Sequence, residues 1–112
     1  MQIETGRNGA ARVVRVTGRM DSTTSPALEQ EMLPLLQSGD AKAVLDLSGV
    51  QYVSSAGLRL VLMAAKRAKA AGGALALCGL PPSVRDVFTI SGFDRIIPVL
   101  DAEADAVAAV GG

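Results

Sequence analysis

Two short apolar runs limit this chain more than any other feature. Lys42–Leu47 contains Ala-Val-Leu-Asp-Leu, and Ala74–Cys78 reads Ala-Leu-Ala-Leu-Cys. Neither alternates apolar with polar residues, as a strand with one wet face does. Near-continuous apolar runs belong to inner strands covered on both faces. Between them lies a helix-length amphipathic stretch. Strand, helix and strand in that order need a crossover connection, so the sheet is mostly parallel.

The remaining punctuation extends the pattern. Ile3 and Thr5 open an extended run, and Arg7-Asn8-Gly9 is a turn signal because Asn and Gly accept positive φ. Ala11–Thr17 alternates Val14 and Val16 with Arg12 and Arg15, with Val13 intruding, and Gly18 is expected to end the strand. The two runs form a hairpin. Asp21-Ser22-Thr23-Thr24-Ser25-Pro26 is a cluster of helix-starting residues. It predicts a helix from about Ser25 to Ser38, with Leu28, Met32, Leu35 and Leu36 on one face. Pro34 should kink or shorten that helix, and Gly39-Asp40 should close it. Ser48-Gly49 is expected to end the first apolar run, leaving Tyr52-Val53 as a separate short stretch.

The long helix runs from about Ser55 to Ala71. Leu58, Val61, Leu62, Ala65 and Ala68 are its expected buried stripe. Lys66, Arg67 and Lys69 suit the negative end of its dipole, and Gly72-Gly73 terminates it. Pro81-Pro82-Ser83 opens a third helix to about Ser91, with Val84, Val87 and Phe88 inward and Gly92 as its cap. Ile96–Val99 predicts a last strand, and Asp101–Val110 a last helix. The sum is an α/β fold: a mostly parallel central sheet, an antiparallel N-terminal edge hairpin and about four helices. No repeat or linker divides the 112 residues, which are read as one domain over 1–112.

Composition then removes function classes. Eleven basic residues balance eleven acidic ones, which argues against a general nucleic-acid binder. There is no histidine, so Ser-His-Asp and Cys-His nucleophiles and His-based metal sites are absent. No glycine-rich phosphate loop and no G-x-S-x-G elbow occurs. We therefore expect no catalytic residue, no metal and no cofactor. An enzyme or nucleotide-binding domain is the reading these features support least. No run is long enough to cross a bilayer, and Met1–Thr5 lacks the regions of a signal peptide. These features predict a cytoplasmic protein with no membrane partner, and a monomer by default. The lone cysteine, Cys78, reads as a small core residue.

The stretch Val44-Leu45-Asp46-Leu47-Ser48-Gly49-Val50 followed by Tyr52-Val53-Ser54-Ser55-Ala56-Gly57-Leu58 resembles the central signature of STAS domains, the family of sulphate transporter and anti-sigma factor antagonist domains. Gly18-Arg19-Met20-Asp21, Gly72-Gly73 and Ile90-Ser91-Gly92-Phe93 extend the resemblance over almost the whole chain. Antagonists of that family carry Asp-Ser-Ser/Thr-Gly-Leu, whose first serine accepts a phosphate. Anchored on Gly57, that serine is Ser55. Ser54 stands where the Asp usually does, and Ala56 at the second hydroxyl position.

The resemblance implies partner switching. The unphosphorylated antagonist binds an anti-sigma factor that is also a serine kinase, which frees a sigma factor. Phosphorylation of Ser55 ends binding, and a PP2C-type phosphatase reverses it. From the residues alone, Ser54 and Ser55 read as helix N-caps; the resemblance singles out Ser55 and leaves Ser54 the plainer cap. Asp21 is either a capping acid or, as the family implies, a contact beside the phosphoserine loop, with Thr24 next to it. Ala56 and Gly57 are small enough to admit a partner's backbone. Leu60 and Met63 fall off the expected buried stripe and, with Arg59, should border the partner interface; Met63 alternatively packs under a loop. Asp46 reads as a strand end, and Lys66 and Arg85 as solvated charges. A second reading is a STAS subunit that docks on an ABC-transporter ATPase, or another membrane transport protein, without phosphorylation.

Overall fold

The computed structural model describes residues 1–37 and 41–111. The chain begins with strands β1 (Gln2–Asn8) and β2 (Ala11–Met20), joined by a turn at Gly9-Ala10. Helix α1 (Ser25–Gln37), strand β3 (Lys42–Val53), helix α2 (Ser55–Ala70) and strand β4 (Ala74–Cys78) follow. Helix α3 (Pro82–Ile90), a 3₁₀ turn (Phe93–Arg95), strand β5 (Val99–Leu100) and helix α4 (Glu103–Ala109) complete it. The strands lie side by side in chain order. β1 and β2 are antiparallel, and every other neighbouring pair is parallel. The expected architecture, an edge hairpin on a parallel sheet with four helices, is the one observed.

The apolar runs of β3 and β4 are buried on both sides because the two faces of the sheet meet different helices. Val14, Val16, Ala43, Leu45, Leu47, Leu75 and Leu77 pack against Leu28, Met32 and Leu36 of α1, Val61, Ala64 and Ala68 of α2, and Val84 and Phe88 of α3. On the opposite face Ala11, Val13, Val44, Ala76 and Cys78 meet Ala106, Val107 and Val110 at α4. The alternation of β2 is therefore complete: Val13, which breaks the polar/apolar pattern in the sequence, belongs to the second core.

Several expectations need correction. β3 does not end at Ser48-Gly49 but runs on to Val53, taking in Tyr52-Val53. Its pairing with β2 shifts twice, between Arg15 and Thr17 and between Gly18 and Arg19. Such bulges let a strand carry turn-forming residues without breaking. Asp46 is not a strand end; its Oδ1 accepts the Ser48 amide at 2.9 Å inside the first irregularity. Gly18 does not end β2 either. It lies within the strand at φ +104, a value open to glycine. Pro34 does not shorten α1, which continues to Gln37. Pro34 and Gln30, whose carbonyl cannot receive an amide from a proline four residues on, are both exposed. The expected close of α1 at Ser38 and Gly39-Asp40 lies outside the described residues. The last strand is Val99–Leu100 rather than Ile96–Val99: Ile97 is sealed in the core from the loop before it, and Ile96 is exposed. Val87 is only half-buried, although Val84 and Phe88 point inward as expected.

Candidate functional site

The site grows from the ends of two parallel strands. Met20 closes β2 and pairs with Val53 at the close of β3. One residue later the Ser54 amide donates to the Met20 carbonyl at 2.8 Å. That bond pins the start of α2 to the end of β2. Ser54 is extended, at φ −87 and ψ 176, and its Oγ accepts the Gly57 amide at 3.4 Å. Its carbonyl accepts the Leu58 amide at 2.9 Å. Ser54 is thus the N-cap of α2 and takes one of the first-turn amides that have no helical partner. Ser55 is the first residue of the helix, and it is exposed.

Gly57 is buried rather than open to a partner. A Cβ there would lie 2.9 Å from the Met20 carbonyl oxygen, 3.0 Å from Val53 Cγ1 and 3.1 Å from Met20 Cβ. Its smallness serves the approach of α2 to the strand ends. The buried stripe of α2 is turned accordingly: Gly57, Leu60, Val61, Ala64 and Ala68 are buried, whereas Leu58, Leu62 and Ala65 are only partly so. Leu60, expected off the stripe, is 6% exposed and belongs to the core. Met63 is half-buried against that same core. The sequence periodicity admits either stripe; contact with Met20 and with α1 selects this one.

The loop after β2 forms the other wall. Asp21 Oδ1 accepts from the Thr23 amide at 2.9 Å, the Thr23 hydroxyl at 2.6 Å and the Thr24 amide at 3.2 Å. These donors, the Thr23 hydroxyl first, hold the Asp21 carboxyl below the usual aspartate range. The Thr24 hydroxyl donates to the Arg19 carbonyl at 2.6 Å and accepts the Asp21 amide at 3.0 Å. The Asp21 carbonyl accepts the Ser25 amide at 2.9 Å, which starts α1. Asp21 and Thr24 therefore organise the turn with most of their hydrogen-bonding capacity. On the outer side the Arg19 guanidinium lies 4.3 Å from the Tyr52 ring centre and 3.8 Å from Asp21 Oδ2.

Between α1 and α2 these pieces enclose an open groove of about 370 Å³, lined by Ser22, Ser25, Pro26, Glu29, Ala56, Arg59, Leu60 and Met63. It joins four of the residues singled out on α2 to four on or before α1. Sequence reasoning missed the α1 wall, since only packing brings the two helices together. Ser25 Oγ is sealed there without a partner among the described residues. Within those residues no cluster of His, Cys, Asp or Glu is arranged to hold a metal ion, and no helix is long and apolar enough to cross a membrane. Cys78 is buried in the second core, away from this site; burial foremost, then the Asp46 and Glu103 charges, pushes its thiol up to about 11.

The site the fold presents is an exposed serine at a capped helix start, beside a groove between two helices. The family model described as Mlab, STAS domain, matches residues 3–100, and the chain belongs to the STAS domain family. Several of its relatives are named anti-sigma factor antagonists. The chain is 31% identical over 108 residues to the anti-sigma F factor antagonist of Paenibacillus polymyxa, covering 96% of this chain and 92% of that one. It is 45% identical over 92 residues to BtrV of Bordetella bronchiseptica, provisionally named an anti-sigma factor antagonist, covering 82% and 79%. An anti-sigma factor antagonist from Mycobacterium paratuberculosis has a similar crystal structure, with a TM-score of 0.89 at 25% identity over 99% of this chain and 94% of that one.

Proposed function

We propose that this protein is an anti-sigma factor antagonist switched by phosphorylation of Ser55. In the unmodified state it binds an anti-sigma factor with serine kinase activity and so releases a sigma factor. The kinase transfers a phosphoryl group from ATP to Ser55, binding ends, and a PP2C-type phosphatase restores the hydroxyl. The reading is of one STAS domain acting in the cytoplasm as a monomer, with no catalytic residue of its own.

The observation that carries this reading is the position of Ser55. It is exposed at the first residue of α2, beside a groove, on a helix start pinned to the sheet by Ser54 and Met20. An exposed hydroxyl at this position is accessible to a kinase, and a phosphate on it meets the positive end of the helix dipole. Modification therefore spares the fold and acts on the bound partner. It adds almost two negative charges and a strongly hydrated group. Burying that group against a fitted surface lowers affinity by roughly 100-fold or more. In this scheme Ala56, Arg59, Leu60 and Met63 form the contact wall, Ser54 and Gly57 hold the helix start in place, and Asp21 and Thr24 shape the loop that faces it.

The test is incubation with ATP and a cognate anti-sigma factor kinase, read by intact mass. One phosphoryl group should appear and be lost in Ser55→Ala, and titration should show the modified form binding the kinase far more weakly. Equal affinity of both forms refutes the switch. Absence of phosphate transfer together with binding to an ABC-transporter ATPase favours the transport-subunit reading instead.

A further inference from the structure

Arg59 stands four residues after Ser55 on α2, and both are exposed. Residues at that spacing are neighbours on a helix surface. Arg59 makes none of the salt bridges found among the described residues, which join Arg15 to Glu103, Arg19 to Asp21 and Arg85 to Asp101. α2 itself contains no acidic residue. The next cations on it begin at Lys66, eleven residues on and about 16 Å along the axis from Ser55. Arg19 is already engaged by Tyr52 and Asp21. Among the described residues Arg59 is thus a cation outside any salt bridge, one helical turn from Ser55. It also lines the groove between α1 and α2, where it is the one basic lining residue and Glu29 the one acidic one.

We propose that a phosphate on Ser55 is bound by Arg59 of the same helix, so that modification removes the groove's cation while adding a dianion at its end. This inference rests on the proposed phosphorylation of Ser55 and adds the way its charge is read. In the unmodified protein the Glu29 and Arg59 charges cancel across the groove. In the modified protein Arg59 is occupied, Glu29 is left without its opposite charge, and the groove becomes acidic. Arginine suits the role because its planar fork meets two phosphate oxygens at once. A partner that docks against a neutral groove then meets a negative one, in addition to the bulk of the phosphate itself.

The test needs no kinase. Phosphoserine is installed at position 55 during translation, and the second ionisation of the phosphate, near pH 6 when unperturbed, is followed by phosphorus NMR. Pairing with Arg59 should hold that ionisation about half a pH unit below its value in the Arg59→Gln variant. Arg59→Lys should recover part of the shift. Lys69→Gln, at the far end of the same helix, should scarcely move it. The proposal is overturned if Arg59→Gln leaves the ionisation unchanged, or if Lys69→Gln moves it as far, which would mark a general charge effect. Failure of the kinase to modify Ser55 would refute the proposed function and leave this measurement unaffected.

Discussion

Replacing Gly57 with alanine sets two known effects against each other. Alanine is the better helix former by about 1 kcal/mol, so an exposed helical site would gain stability. At Gly57 the new methyl carbon would sit 2.9 Å from the Met20 carbonyl oxygen and 3.0 Å from Val53 Cγ1. The carbonyl cannot retreat freely, because it accepts the Ser54 amide at 2.8 Å and ends a paired strand. The start of α2 must therefore lift. Overpacking of this kind costs about 1–3 kcal/mol. Subtracting the helix gain leaves a net loss of roughly 0–2 kcal/mol, with about 1 as the central expectation. Urea denaturation should show a lower midpoint with an unchanged slope. Hydrogen exchange of the Ser54 amide should accelerate, since its bond to Met20 is strained first. A variant more stable than the parent by about 1 kcal/mol would mean that the space around Gly57 is open, and the account of how Ser55 is held would fail.

Three further outcomes follow from the same structure. Leu60→Ala should lose about 2–3 kcal/mol by urea denaturation, because the side chain floors the core even though it borders the groove, whereas Met63→Ala should lose about 1 or less; similar losses would place the two residues in the same environment. Asp21 has a lowered native pKa, so its stabilising effect should be complete above the unfolded value near 3.9 and fade as pH falls through the native one. The melting-temperature advantage of the parent over Asp21→Asn should accordingly shrink below about pH 4, and an advantage that persists undiminished at pH 2 would contradict the hydrogen-bonded turn. The Cys78 thiol, buried and pushed up to about 11, should react with a thiol reagent at pH 8 only as fast as the protein opens, so rapid stoichiometric labelling of the native state would contradict its place in the second core.

Much of the fold is legible in local pattern. The runs at Lys42–Leu47 and Ala74–Cys78 announce strands covered twice, and the two cores facing α1–α3 and α4 are what cover them. The cluster from Asp21 to Pro26 announces the start of α1, and the hydrogen bonds of Asp21 and Thr24 build that start. The misplaced strand ends share one cause. Ser48-Gly49 and Gly18 carry turn chemistry yet lie inside strands, because bulges and a positive φ absorb them once neighbouring strands supply the hydrogen bonds. Leu60 and Leu62 are equally apolar, and the helical period alone does not decide between adjacent stripes.

The amino-acid sequence by itself determined the alternation of strands and helices, the apolar content of the inner strands and the placement of Ser54 and Ser55 at a helix start. Spacing and capping chemistry act within a few residues, and a few residues suffice to read them. Tertiary structure alone decided which face of α2 is buried, that Gly57 serves the Met20 contact, and that Arg59 and Glu29 line one groove. Those facts depend on α1, α2 and the ends of β2 and β3 meeting in space, and contact between segments tens of residues apart leaves no periodic trace in either one.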